Sequence, residues 1–230
     1  MDAKKIMPQI ITTGDGSHSL YNPELDETYH SRHGALQESR YVFIQQGLDL
    51  IDPLHQPIRI LEVGFGTGLN AVLANEYGEK YNRKIEFTSL ETFPLSKEVT
   101  DSINVESTVG EGNSAFFSQL HLAEWNSAIK INDTFIVEKL NTTVQEWPVR
   151  ADYFDVIFYD AFGPRAQPEM WTLEIFQKLY TTMRKGGIFV TYCAKGQVRR
   201  DLTTAGFHTS RLPGPPGKRE MLRGGKALVW

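Results

Sequence analysis

Glu62-Val63-Gly64-Phe65-Gly66-Thr67-Gly68-Leu69-Asn70 is the stretch on which the fold turns. Ile58–Val63 before it is a short run of β-branched and leucine residues, which reads as a buried strand. Leu69–Tyr77 after it reads as the helix that the strand feeds. Glycines at 64, 66 and 68 permit tight turning and leave the backbone open to a ligand. A dinucleotide fingerprint needs G-x-G-x-x-G, with the third glycine packing helix on strand. Leu69 stands where that glycine belongs, so this fingerprint fails.

Outward from the loop, strand and helix alternate. Ile85–Leu90, Phe135–Lys139, Phe154–Tyr159 and Ile188–Cys193 are further strands, with Phe207–Arg211 and Ala227–Trp230 as the last two, antiparallel in one reading. Trp171–Met183 is a helix closed by Lys185-Gly186-Gly187, and Val198–Ala205 is a short helix. Alternation of this kind implies right-handed crossovers and a mostly parallel sheet, here of seven strands, covered by helices on both faces. Residues 1–50 read as an irregular N-terminal arm and a helix (Ala35–Leu48), part of the same domain as 51–230. Ligands of such sheets lie beyond the carboxyl ends of the strands. That rule gathers the glycine loop, Glu91 and Asp160 on one rim.

Composition narrows the class. The chain has 230 residues, 40% of them hydrophobic, a net charge of −4 and a single cysteine, Cys193. No stretch approaches the ~20 apolar residues of a membrane span, and the start of the chain is too short in apolar residues for a signal-peptide core. One cysteine cannot form an internal disulfide, which fits a reducing cytoplasm. The six histidines show no metal-ligand spacing, so no metal is expected. From Lys195 onward there are eight basic and two acidic residues. Such a tail is either a phosphate-facing patch or a solvated basic face.

The E-x-G-x-G-x-G arrangement resembles the first motif of Rossmann-like class I methyltransferases, whose cofactor is S-adenosyl-L-methionine. On that resemblance Glu62, Gly64, Gly66, Thr67, Gly68, Asn70 and Asp160 belong to the cofactor site. Glu91, ending the second strand 27 residues after Gly64, has the chemistry to accept hydrogen bonds from both ribose hydroxyls, with Thr92 beside it. Asp160 follows the Phe154–Tyr159 strand. A carboxylate there can orient an amine and take its proton, since a protonated amine has no lone pair for attack. Phe162 and Trp171 are either walls for a planar substrate or core aromatics.

A wider set of segments is similar to one family. It comprises Asp15-Gly16-Ser17, Tyr29-His30-Ser31, Gly34-Ala35, Glu38–Phe43, the glycine loop, Glu91–Leu95, Asp160-Ala161-Phe162, Pro168–Thr172, Gly196, Val198-Arg199-Arg200 and Gly217–Leu222. Together they resemble the methyltransferase domain of MnmC-like tRNA 5-methylaminomethyl-2-thiouridine enzymes. The resemblance runs from about Asp15 to Trp230, and its Pro-Glu-Met-Trp and Lys-Arg-Glu-Met segments are the specific ones. It implies methyl transfer from S-adenosyl-L-methionine to the aminomethyl group of the tRNA wobble uridine, with Asp160 catalytic. The family's acidic position after the third strand falls at Glu138-Lys139. Arg199, Arg200, Lys218 and Arg219 are the expected contacts to anticodon phosphates. Longer members carry an FAD-dependent domain that makes the aminomethyl group, so the expectation here is either a separate enzyme as its source or a different substrate. Three other functions fit the same fold: methylation of a small amine, aminopropyl transfer as in polyamine synthases, and RNA binding without catalysis.

Overall fold

The computed structural model describes residues 7–104 and 112–227. Its main sheet has eight strands, in the order β10-β11-β9-β8-β4-β5-β7-β6. These are β4 (Ile58–Val63), β5 (Ile85–Leu90), β6 (Ala128–Lys130), β7 (Phe135–Leu140), β8 (Phe154–Tyr159), β9 (Met183–Thr191), β10 (His208–Pro213) and β11 (Glu220–Gly225). The central run β7-β5-β4-β8-β9 is parallel, while β6, β11 and β10 pair antiparallel at the two ends.

The α/β, class I methyltransferase-like fold expected from sequence is therefore present, with eight strands instead of seven. β6 was missed because three residues carry too little periodicity to register. β11, which ends in Gly224-Gly225, was not among the expected strands. The expected strand at Ala227–Trp230 lies almost wholly outside the described residues. Lys185-Gly186-Gly187 does not close a helix: β9 begins at Met183 and runs through it, with Gly186 at φ 78° and a register shift against β8.

Alternation along the strands builds two cores. Ile60, Phe87, Val137, Phe158 and Val190 pack on one face against α2 (Leu69–Tyr81) and the arm helix α1 (Ala35–Ser39). Leu61, Ile157, Tyr159 and Phe189 pack on the other, against α5 (Leu173–Thr182) and α6 (Gly196–Thr204). Every residue of β8 is buried, as expected of a parallel strand covered on both faces. Each large apolar side chain so buried contributes about 1.5–3 kcal/mol. The helices α3 (Lys97–Asp101) and α4 (Ser114–Leu122) lie between β5 and β6.

The arm is more ordered than its sequence suggested. β1 (Gln9–Thr12), β2 (His18–Asn22) and β3 (Glu27–Thr28) form a small antiparallel sheet. The turn after β1 then caps α1 from a distance. Thr13, Ser17 and Asp15 accept the otherwise unpaired N–H groups of Ala35, Leu36 and Gln37 at 3.2, 3.3 and 3.0 Å. The helical path continues beyond α1 through a wider π-turn segment, Arg40–Gln45, so the expected single helix changes its winding at Arg40.

Candidate active site

From β4 the chain proceeds through α2 to β5 and outward to β7, then returns to the other side of β4 as β8. The strand order thus reverses between β4 and β8, and the loops leaving those two strands meet there. Gly64 has φ 95°, and a Cβ on it would stand 2.7 Å from the Asp160 carbonyl oxygen. Only glycine lets the two loops approach so closely. Gly66 and Gly68 also have positive φ, and Gly68 opens α2.

Asp160 is half-buried beside the loop. Both hydrogens of the Asn70 amide nitrogen are used, one to Asp160 Oδ2 at 2.9 Å and one to Glu62 Oε1 at 3.0 Å. Burial and the neighbouring Glu38 carboxylate push the Asp160 carboxyl well above the usual range, and Asn70 and Lys218 partly oppose them. A carboxylate so raised is a better proton acceptor.

Glu62 lies behind the glycine loop. It is fully buried, it receives Ser89 Oγ at 2.5 Å, and burial raises its pKa well above the ordinary value. It holds Asn70, which holds Asp160. Thr67 is also buried, and its carbonyl is bound by His121 Nε2 at 3.1 Å. Burial lowers His121 to about 4, so the ring is neutral and donates from Nε2.

Glu91 stands at the end of β5 and accepts from Gly66 N at 3.1 Å and Phe93 N at 2.8 Å. The Thr92 side chain is exposed, and its carbonyl accepts from Asn141 Nδ2 at 3.2 Å. Asn141 also donates to the Glu91 carbonyl at 2.9 Å and is the residue that leaves β7 at the rim. Sequence reading had placed the position after the third strand at Glu138-Lys139. Glu138 is instead paired with Arg150 at 2.8 Å. Lys139 is buried, donates to the His121 carbonyl at 3.2 Å and is pushed down to about 8 by burial. It lines a cleft of about 650 Å³ that also borders Phe65, Gly66, Leu95, His121 and Trp125.

The arm forms the roof. The Tyr29 ring lies over Gly66 and meets Phe162 edge-on at 4.9 Å. His30 is buried against Ser19, 3.0 Å away. Glu38 accepts from Ser31 N at 2.7 Å and pairs with Lys218 Nζ at 2.5 Å. Arg165, in the loop after Phe162, reaches Glu27 at 3.3 Å. None of Tyr29, Glu38 or Tyr192 had been assigned a defined role from sequence. Their signal is visible only once Lys218 and Asp160 are seen together.

Two expectations about the acceptor side change. Trp171 is 6% exposed and packs edge-on against Tyr159, so it is a core aromatic and no wall. Its Nε1 donates to the Phe162 carbonyl at 2.8 Å and so holds Phe162, which does face the site, in place. Lys218 does not point outward to phosphates. Its ammonium is held by Glu38 and lies 3.7 Å from the Tyr192 ring centre. Arg199, Arg200 and Arg219 are exposed, as a phosphate-contacting surface requires.

The residues present suit S-adenosyl-L-methionine. Three glycines with positive φ leave the loop backbone open, Asn70 Oδ1 is a buried acceptor with no partner among the described residues, and Glu91 presents a carboxylate at the rim. Among the described residues, no cluster of three or more His, Cys, Asp or Glu has metal-binding geometry.

A family described as S-adenosyl-L-methionine-dependent methyltransferase matches residues 112–227. The chain belongs to this family. The methyltransferase is also 33% identical over 215 residues to the tRNA 5-methylaminomethyl-2-thiouridine biosynthesis bifunctional protein MnmC of Idiomarina loihiensis, covering 86% of this chain and 35% of that protein. With MnmC of Cupriavidus metallidurans it shares 30% over 235 residues, 96% of this chain and 34% of the other. It thus spans about a third of the length of these relatives. The solved structure of MnmC2 from Aquifex aeolicus superposes with a TM-score of 0.82 at 26% identity, over 97% of this chain and 72% of that one. Spermidine synthase from Thermotoga maritima shares the fold, with a TM-score of 0.58 at 13% identity over 99% of this chain and 72% of that one.

Proposed function

We propose that this methyltransferase methylates a primary amine, the aminomethyl group on the wobble uridine of tRNA. The observation that carries the reading is the Asp160 carboxylate. It is held by Asn70 at 2.9 Å at the mouth of the glycine loop and made more basic by burial. The similarity to MnmC proteins supplies the acceptor. S-adenosyl-L-methionine, when bound, supplies an electrophilic methyl group. The chain's own part is to align the amine, accept its proton on Asp160 and exclude water beneath Tyr29 and Phe162. Alignment of nucleophile and methyl carbon supplies most of the remaining rate.

Gly64, Gly66, Gly68, Asn70 and Glu91 are the proposed cofactor contacts, with the Thr67 and Thr92 backbones shaping the walls. Arg199, Arg200 and Arg219 are the proposed tRNA contacts, and the anticodon arm with its splayed base is the proposed ligand. The arm, residues 1–50, acts with 51–230 as one catalytic unit in this reading, since Tyr29 and Glu38 roof the site. The enzyme works in the cytoplasm, where its tRNA is found. Among the described residues no helix is long and apolar enough to cross a membrane.

The test is transfer of labelled methyl from S-adenosyl-L-methionine to tRNA from cells unable to complete the wobble-uridine side chain. Label is expected at that uridine and is expected to vanish with Asp160→Ala, while cofactor binding persists. Cofactor binding without label on tRNA would leave a methyltransferase and remove tRNA as its substrate.

A further inference from the structure

Lys218 is the one basic residue of the tail that turns into the site, and the structure holds it there from several sides. Its ammonium pairs with Glu38 Oε1 at 2.5 Å and lies 3.7 Å from the centre of the Tyr192 ring. Glu38 is 5% exposed, and its other oxygen is taken by Ser31 N. Tyr192 is fixed in turn, its hydroxyl donating at 2.8 Å to the carbonyl of Ala161, the residue after Asp160.

The loop carrying Lys218 is equally constrained. Gly217 has φ 84° and lies so close to His33 that a Cβ would fall 2.0 Å from the ring. Lys218 N donates to the Pro215 carbonyl at 2.9 Å, and Tyr41 Oη donates to the Pro213 carbonyl at 2.9 Å. A lysine held this firmly is not a mobile phosphate contact.

An ammonium has three hydrogens. Glu38 pairs with its charge and the Tyr192 ring lies against it, yet the ammonium makes no hydrogen bond to an acceptor among the described residues. Tyr192 ties it to the Ala161 carbonyl, next to Asp160, and its charge acts on the Asp160 carboxyl. Asp160 Oδ2 is occupied by Asn70, and Oδ1 has no protein partner there. The acceptor space thus offers a proton acceptor at Asp160 and, beside it, one charged donor.

We infer that Lys218 is a specificity-determining residue, which donates a hydrogen of its ammonium to a carbonyl oxygen on the acceptor ring next to the carbon bearing the aminomethyl arm. This rests on the proposed function and defines its substrate more closely: an aminomethyl group flanked by a ring carbonyl, as on a 4-oxopyrimidine. A plain alkylamine satisfies Asp160 and leaves Lys218 unmatched. A site built to hydrogen-bond a substrate group discriminates strongly against an analogue lacking it, because the site's polar group is left unpaired.

The experiment compares two anticodon stem-loop RNAs, one carrying 5-aminomethyluridine and one carrying the same base without its 4-oxo group. Wild-type protein is expected to prefer the first in kcat/KM by roughly 10- to 100-fold, the range of a hydrogen bond to a charged group. Lys218→Met is expected to abolish that preference by slowing the first substrate far more than the second, with the Kd for S-adenosyl-L-methionine unchanged. Because Lys218→Met leaves Glu38 buried and unpaired, Lys218→Met with Glu38→Gln is measured beside it and is expected to behave alike. A preference that survives in the doubly substituted protein overturns the inference, as does an equal loss on both RNAs. Wild-type protein that methylates neither RNA, although it binds the cofactor, overturns the proposed function and this inference with it. Wild-type protein that methylates both equally overturns the inference alone.

Discussion

Asn70 donates one amide hydrogen to Asp160 at 2.9 Å and the other to Glu62 at 3.0 Å, so a single nitrogen joins the proposed base to a carboxyl buried behind the cofactor loop. Both carboxyls are raised by burial, and each is raised further by the presence of another carboxylate. The Asn70 bonds work against both shifts.

Asn70→Ala therefore moves the acid limb of the kcat profile upward in pH. Asp160 acts as a base only when ionised, and the lost bond had favoured the ionised form. At neutral pH kcat is expected to fall about 10- to 100-fold, the worth of a hydrogen bond to a charged group. The measurement is the pH–rate profile of both proteins at saturating cofactor. A uniform drop with an unmoved limb would show that Asn70 shapes the loop without acting on Asp160.

Glu62 gives a stability prediction. Its folded pKa lies above its unfolded value, so the folded state holds the extra proton between the two. That contribution is complete below the unfolded pKa and is lost as pH rises through the folded pKa. Glu62→Gln keeps the shape and removes the titration. It is expected to melt higher than the wild type at pH 8 and to match it more closely at pH 5, by about 2–4 °C for each kcal/mol. Thermal melts across that range decide it; a variant less stable at pH 8 than at pH 5, relative to wild type, would reverse the sign.

His121 holds the cofactor loop from outside, through the Thr67 carbonyl at 3.1 Å. His121→Phe preserves the ring contacts with Phe117 and Phe65 and deletes the donor. The Kd for S-adenosyl-L-methionine is expected to rise roughly 10-fold, as for one lost buried bond, with partial recovery in His121→Gln. Since the ring titrates near pH 4, the effect is the same from pH 6 to 9. Calorimetric titration at two pH values tests both statements.

What could be read from the sequence was local. The β4 run, the glycines after it and Asp160 at the end of β8 announce themselves through short-range patterns, and the structure brings them together where the strand order reverses. The pieces that escaped are set by distant partners. Lys218 and Arg219 are adjacent and equally basic, yet Glu38, from the arm, draws one inward and leaves the other in solvent. Trp171 is a core residue because Tyr159 and the Phe162 carbonyl receive it. Within β11, Gly224 leaves room for Phe207 to pack against the sheet, where a Cβ would stand 3.1 Å from the ring. Glu62, read as a ligand contact from its place in the motif, is turned into the core by the pleat of β4.

The exposed arginines supply the last prediction. Arg200 is steadied by Gln197 at 2.6 Å, while the Arg199 and Arg219 side chains are exposed. If these three guanidiniums meet tRNA phosphates, each contact releases counterions, and the affinity falls with salt in proportion to their number. Replacing all three with alanine is expected to weaken tRNA binding and to flatten the slope of log K against log salt by about 0.7–0.9 per lost contact. Cofactor affinity should stay at the wild-type value, because none of the three reaches the glycine loop. Lys218→Met, by contrast, is expected to leave that slope unchanged, since its charge is already matched by Glu38 inside the protein. A triple variant with an unaltered slope would assign the arginines to a solvated face and send the search for the tRNA surface to the arm.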